Sequence, residues 1–301
     1  MCGIVGLYAK NPELRPRLGE LVSPMLVELG DRGPDSAGIA FYRRPVAGGG
    51  SKITVHHVDP GYEWGSLRDA FAARCGADVE MEVRGSHATL ASPLPPADVE
   101  RWFGERHPEL RVMSVGDTIE LYKEKGLPVD VVDRFGFRDI DGSHALGHTR
   151  MATESAVTTE HSHPFSTGLD LCLVHNGSLS NHNRLRRNLR REGIAFQTDN
   201  DTEVAAGYLT WRLREGDSLD EALEAANDDL DGFYTFAVAT RDGFAVLRDP
   251  IACKPAVLAE TEDWVAMGSE FRAIAPLPGA DRAEIWEPTP GRVYHWGGAT
   301  T

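Results

Sequence analysis

Cysteine is scarce in this chain: the four present are Cys2, Cys75, Cys172 and Cys253. They lie far apart with no Cys-x-x-Cys pair. That spacing argues against a structural zinc site and a disulfide framework, and fits reduced thiols in a cytoplasm. No run of about 18 apolar residues is present, so no membrane-spanning helix is expected. The amino terminus lacks a basic segment followed by an apolar core, so no secretory signal is expected. Positive charge is also in short supply: 31 Lys and Arg stand against 46 Asp and Glu, a net charge of −15. A broad nucleic-acid footprint and an anionic membrane partner are therefore not expected. Repeats are absent, and low complexity is confined to Gly48-Gly49-Gly50.

What remains is a composition of 41% hydrophobic and 26% charged residues over 301 positions, which suits one large globular domain or two small ones. Ile4 to Leu7 reads as a buried strand. Leu14, Leu18, Leu21, Val22, Met25 and Leu29 recur at helical spacing over 13–29, with Pro16 and Pro24 interrupting and Gly30 ending the pattern. Residues 31–38 form a polar loop before a strand at 39–42. Residues 43 to about 143 differ in texture and read as an inserted βαβ-like subdomain for docking or scaffolding. Strands are expected near 52–57, 79–83 and 110–115, helices at 66–74 and 95–106, and short helical patterns open at Asp117 and Pro128. Beyond Ala145, strands at 145–149 and 169–174 end in polar loops. Helices follow at 181–192, 202–214 and from Leu219, and then a strand-rich remainder. Two sheets with helices outside them are the natural layered solution.

Cys2 is the organising residue. Removal of Met1 would put a thiol and a free α-amine on one residue. With a reference pKa of about 7.7–8.0 the amine can take the thiol proton and later protonate a leaving group. Hydrolysis of a side-chain amide needs an oxyanion hole, a cation for the substrate α-carboxylate and an anion for its α-ammonium. Asn176 and Gly177 at a strand end offer a carboxamide and a backbone N–H. Arg150 offers a planar fork, and Asp201 a carboxylate at a helix start. Blander readings stand beside these. Asn176-Gly177 also fits a turn, Arg150 a surface ion pair and Asp201 a helix cap. His161 and His163, with His144, His148 and His175, raise the question of a metal, although their spacing follows no usual ligand pattern. The arginines between Arg184 and Arg191 fit a solvated helix face or an acidic contact better than a nucleic-acid patch.

The ordered fragments Cys2-Gly3-Ile4, Arg32-Gly33-Pro34-Asp35-Ser36-Ala37-Gly38, Gly147-His148-Thr149-Arg150-Met151-Ala152-Thr153, His163-Pro164-Phe165, Val174-His175-Asn176-Gly177 and Asp201-Thr202-Glu203 resemble a class II glutamine amidotransferase domain of the N-terminal nucleophile hydrolase superfamily. Asp249, Lys254-Pro255, Ser269-Glu270 and Pro290-Gly291 fit as well. The inserted region is similar to stand-alone GlxB-type subunits related to glutamate synthase and N-methylglutamate synthase. The resemblance implies an α+β, four-layer αββα sandwich over residues 2–301 with the insert at about 43–143. It implies that Cys2 forms a γ-glutamyl thioester and that Asn176 and Gly177 bind the oxyanion. It further implies that Arg150 and Asp201 hold the glutamine α-carboxylate and α-ammonium, that Thr153 and His163 line the pocket, and that Arg32 and Gly33 brace the terminus. Met151 stands where several relatives carry an aromatic residue, and Glu154 where some carry His; both bear on loop closure.

The expected activity is glutamine hydrolysis in the cytoplasm, with ammonia passed to a separate glutamate-synthase-like partner. No cofactor is expected in this chain; the partner would carry FMN and an iron–sulfur cluster. A stand-alone γ-glutamyl amide hydrolase and a non-catalytic glutamine sensor are the alternatives.

Overall fold

The computed structural model describes residues 2–152 and 156–298. The amino-terminal run Gly3–Ala9 is a strand in which every residue but Tyr8 is buried. It lies at the middle of a seven-stranded sheet. The order is Glu284–Trp286, Val257–Glu260, Trp264–Gly268, Gly3–Ala9, His144–Arg150, Ser36–Tyr42 and Ile119–Lys125. Its pairings are antiparallel, with Gly3 opposite Thr149 and Val5 opposite Gly268. A five-stranded sheet runs Val293–Gly297, Gly243–Arg248, Gly232–Thr240, Leu171–Leu179 and Phe165–Gly168.

Strand side chains alternate between faces, and three apolar clusters follow from that alternation. Ile4, Leu146 and Met267 of the first sheet share one cluster with Cys172, Val174 and Ala237 of the second. Val5, Leu7 and Ile39 pack instead with Val22, Met25 and Leu26 of helix Leu18–Glu28. Leu173 and Phe236 pack with Val204 and Tyr208 of helix Asp201–Arg214 and Leu223 of helix Leu219–Asp229. Each such side chain contributes roughly 1.5–3 kcal/mol when fully buried, so the amino-terminal strand is held on both faces.

The helical pattern over 13–29 is divided in the structure. Pro12–Arg17 is a 3-10 segment containing Pro16, and the α-helix begins at Leu18. Pro16 has no N–H to continue an α-helical ladder, and the tighter turn absorbs it. Pro24 stays inside the helix at the loss of one backbone bond.

A four-stranded antiparallel sheet, ordered Glu80–Arg84, His87–Ser92, Ser51–His56 and Arg111–Gly116, has its own core of Phe71, Phe103, Leu90 and Ile53. Helix Trp64–Cys75 connects two strands that flank a third, and helix Pro96–Arg106 does the same. These are two split β-α-β units, the ferredoxin-like arrangement. The sheet spans 51–116, narrower than the 43–143 expected. The helical pattern expected from Asp117 is instead strand Ile119–Lys125, an edge of the seven-stranded sheet. Its charges misled the reading because Glu120, Lys123 and Glu124 are buried, and Glu120 meets Arg43 and Lys52.

Candidate active site

Cys2 sits where the central strand of the larger sheet begins, and its hydrogen-bonding neighbours come from three other parts of the chain. Arg32 Nε donates to the Cys2 carbonyl at 3.0 Å, and Asn176 Nδ2 donates to the same oxygen at 3.2 Å. The Met151 N–H lies 3.4 Å from Cys2 Sγ, and the Met151 carbonyl accepts from the thiol at 3.7 Å. Arg32 is buried and pairs with Glu270, whose carboxyl is held below its ordinary pKa mainly by that hydrogen bond. Glu270 in turn accepts from Arg272 Nε at 2.8 Å, and Arg272 reaches Asp31 at 3.0 Å. Gly33 brings its Cα against the Thr149–Arg150 backbone: an added Cβ would lie 2.3 Å from the Thr149 carbonyl carbon.

Asn176 links the two sheets. Its Nδ2 also donates to Ser269 Oγ at 3.2 Å, and Ser269 Oγ accepts the Ile4 N–H at 2.8 Å. Its Oδ1 lies 3.1 Å from His148 Nε2. Gly177 follows at φ 148°, where an added Cβ would lie 2.0 Å from the Phe233 carbonyl oxygen. Only glycine carries the strand through this point next to the thiol.

Arg150 closes the same end of the sheet. Its side chain is buried and Nη1 donates to the Ala156 carbonyl at 3.1 Å. Burial lowers its pKa from the ordinary value, while the charges of Cys2 and Asp35 oppose that shift. Asp35 Oδ2 accepts the Ala152 N–H at 2.8 Å and fixes the segment that follows Arg150. Thr153 and Glu154 lie outside the described residues.

Asp201 and His163 belong to an adjoining cluster. Asp201 Oδ2 accepts the Leu179 N–H at 3.0 Å, and Oδ1 lies 3.8 Å from His175 Nδ1. Its carboxylate is partly exposed, and the cap of the helix is Asn200, which accepts the Thr202 N–H at 2.8 Å. Thr202 Oγ1 bridges His163 Nε2 at 2.7 Å and His175 Nδ1 at 3.0 Å. His163 stacks on His148 with ring centroids 4.2 Å apart. Burial pushes the pKa of all three imidazoles down, that of His148 to about 3. Buried and neutral, they serve as hydrogen-bonding groups rather than cations.

The five histidines do not converge. His144 stacks on Tyr42 and bonds the Thr240 carbonyl, and His161 bonds Asp199. Among the described residues no group of three His, Cys, Asp or Glu is placed to hold a metal. Clefts of about 810 and 510 Å³ share Arg43, Arg44, Pro45 and Asp141, and neither is lined by Cys2, Arg150, Asn176 or Asp201. The convergence of side chains, not open volume, marks the site.

Sequence reasoning gave no role to Ser269, Glu270, Asp35, His148 or Thr202. All five lie in fragments that resemble the family, and that was the available signal. The contact itself was not legible for Glu270, which reaches Arg32 across 238 residues.

Comparison with known proteins identifies the family. The family model described as a glutamine amidotransferase domain matches residues 148–276. The glutamine amidotransferase-like protein GlxB of Rhizobium meliloti (strain 1021) is 55% identical over 298 residues, covering 98% of each chain. An amidophosphoribosyltransferase of Archaeoglobus fulgidus is 33% identical over 171 residues, covering 56% of this chain and 37% of the relative. In structure, the glutamine phosphoribosylpyrophosphate amidotransferase of B. subtilis, complexed with ADP and GMP, superposes with a TM-score of 0.63 at 20% identity, covering 98% of this chain and 47% of that one. That likeness is one of α+β fold. Near-complete coverage at 55% identity, on a chain whose quoted fragments gather around one thiol, is decisive: this chain belongs to the class II glutamine amidotransferase family.

Proposed function

We propose that the chain hydrolyses the side-chain amide of glutamine through Cys2 once Met1 is removed, and delivers the ammonia to a synthase on another polypeptide. We read the three apolar clusters as the spaces of a four-layer αββα sandwich, and the 51–116 sheet as an inserted subdomain of one domain spanning 2–301. The observation that carries the proposal is the grip on the Cys2 carbonyl by Arg32, from the turn before strand Ser36–Tyr42, and Asn176, from strand Leu171–Leu179 of the second sheet.

The α-amine of Cys2 takes the thiol proton. Sγ attacks the glutamine side-chain carbonyl carbon, and the developing oxyanion is met by the Asn176 carboxamide and the Gly177 N–H. The C–N bond breaks as the α-ammonium returns its proton, so ammonia leaves and a γ-glutamyl thioester remains. Water attacks the thioester with the α-amine again as base, releasing glutamate and restoring the thiol. Arg150 holds the substrate α-carboxylate and Asp201 its α-ammonium. His163 and Thr153 line the pocket, and Arg32 with Gly33 braces the nucleophile. These steps use thiol, amine and water, so the chain itself requires no cofactor. The acceptor is a cytoplasmic glutamate-synthase-like partner carrying FMN and an iron–sulfur cluster.

The test is intact mass after incubation with the glutamine analogue 6-diazo-5-oxo-L-norleucine. Loss of Met1 and a single adduct on Cys2, blocked by glutamine, is the expected result. A processed chain that forms no adduct overturns the glutaminase reading. A pull-down from the native host that recovers no flavoprotein synthase overturns the partner assignment alone.

A further inference from the structure

Three residues of the seven-stranded sheet stand side by side across neighbouring strands: Lys123 is paired with Gly38, and Gly38 with His148. The outer two carry polar side chains that the thioester chemistry does not use. The middle one has no side chain. An added Cβ at Gly38 would lie 2.4 Å from the His163 carbonyl oxygen, so the bare strand admits the 160–164 segment between its neighbours.

Lys123 holds that segment from one side. Its ammonium is buried and donates to the carbonyls of Ser162 at 2.8 Å, Pro164 at 3.1 Å and Glu160 at 3.3 Å. Two of these acceptors flank His163 directly. No carboxylate lies within ion-pair distance of it among the described residues. A buried lysine without a counter-ion is costly, which suits a clamp on backbone carbonyls rather than a charge pair. On the other side the His163 ring lies on the His148 ring, 26° from parallel.

His148 Nε2 lies 3.2 Å from the His175 carbonyl oxygen and 3.1 Å from Asn176 Oδ1. The carbonyl is an acceptor only, so this nitrogen carries the proton and donates. The carboxamide of Asn176 is thereby fixed with its oxygen toward His148 and its NH2 toward Cys2 and Ser269. Reversed, the same side chain would present an oxygen to a developing oxyanion.

We propose that His148 is a positioning residue that sets the orientation of the Asn176 carboxamide, and that the Lys123–Gly38–His148 row, with the 160–164 segment seated on it, holds His148 in place. The inference rests on Asn176 acting as oxyanion donor. Supporting groups locked by packing and by their own hydrogen bonds give a site its geometric precision.

The experiment compares glutamine hydrolysis by the processed full-length protein with that of His148→Leu, His148→Gln and Lys123→Met. Loss of an oriented oxyanion donor costs about 10²–10³-fold in kcat. His148→Leu is expected to lower kcat by about 10²-fold with KM within about twofold, since the interaction is made in the transition state. His148→Gln keeps an N–H near the position of Nε2 and is expected to recover about tenfold of that loss. Lys123→Met acts one step further away and is expected to lower kcat about tenfold with the same unchanged KM. It also carries the test should His148→Leu fail to fold. A kcat within twofold of wild type in the folded His148→Leu or Lys123→Met protein overturns the proposal, as does a His148→Gln protein no better than His148→Leu.

Side-chain 15N spectra separate this inference from the glutaminase reading. The Asn176 carboxamide protons, identified by their disappearance in Asn176→Asp, are expected to exchange slowly with solvent in the wild type. They are expected to exchange at least tenfold faster in whichever of His148→Leu and Lys123→Met folds. Unchanged exchange overturns the inference even if wild-type protein proves inert toward glutamine.

Discussion

The two-sheet body and the four-stranded unit both bury histidines, but only the body gathers them beside Asn176 and Thr202; His56 and His87 of the smaller unit lie with ring centroids 4.9 Å apart. In the body, His148, His163 and His175 are buried, neutral and mutually arranged, and each keeps one ring nitrogen without a hydrogen-bond partner among the described residues. In the smaller unit the core is chiefly aliphatic and aromatic: Phe71 packs on Trp102 and Phe103, and Ile53, Val55 and Leu90 fill the rest. The cleft of about 810 Å³ borders the smaller unit, while Cys2, Arg150 and Asn176 lie in the body. The contrast separates two uses of burial. One lowers free energy and shapes a surface; the other holds groups that water would otherwise satisfy in a single arrangement around a thiol.

The sharpest way to test that separation is Cys2→Ser. It is nearly isosteric, so the melting temperature should stay within about two degrees while glutamine turnover falls by about three orders of magnitude or more. Unaltered turnover would remove Cys2 from the mechanism. Arg150→Ala comes next. Loss of a buried partner for a carboxylate should raise the apparent glutamine KM by about 10²-fold, with kcat falling less. A fall in kcat with KM unchanged would contradict its assigned role.

Phe71→Ala probes the other region. A fully buried phenylalanine cut to alanine costs about 3–5 kcal/mol in a denaturant titration. Glutamine kcat/KM of the folded fraction should not change. Turnover lost in step with Phe71 would show that the site depends on the four-stranded unit.

Smaller effects should appear on titration. Burial lowers His148 to about 3 and His144 to about 4. Unfolded chains bind these protons near pH 6.5, so between about pH 6.5 and 4 the unfolded state is the more protonated and stability falls as pH falls. The urea midpoint should drop between pH 7 and pH 5; a rise would contradict the buried neutral state. Lys123, lowered to about 7 by burial, works in the alkaline window. Between pH 7 and about 10 the unfolded lysine stays protonated while the folded one does not, so its share of stability rises with pH. Lys123→Met should flatten that rise. Least of all, Val58→Asp, at a position 80% exposed, should shift stability by no more than about 0.5 kcal/mol and leave turnover intact.

The legible part of the fold was where period and burial coincide. Helix Leu18–Glu28 and strand Gly3–Ala9 announce themselves because their apolar residues face one core or two. Strand Ile119–Lys125 was illegible because Glu120, Lys123 and Glu124 are charged yet buried, and their partners lie far away in sequence. Within the site, Cys2, Arg32 and Asn176 were legible because their chemistry is strong and their fragments distinctive. The function of His148 in the fold was not, since it depends on a cross-strand register and on a ring stacked from another loop.

The central position of strand Gly3–Ala9 has a consequence in time. Its hydrogen-bonding neighbours are His144–Arg150 and Trp264–Gly268, and Ser269 closes onto Ile4. Residues 3–9 therefore wait for 144–150 and then for 264–268 before both their sheet neighbours exist. Contacts so distant in sequence form slowly, and during synthesis Cys2 precedes Asn176, which holds its carbonyl. A nascent chain cut short before Trp264 would thus hold strand Gly3–Ala9 with one of its two sheet neighbours missing.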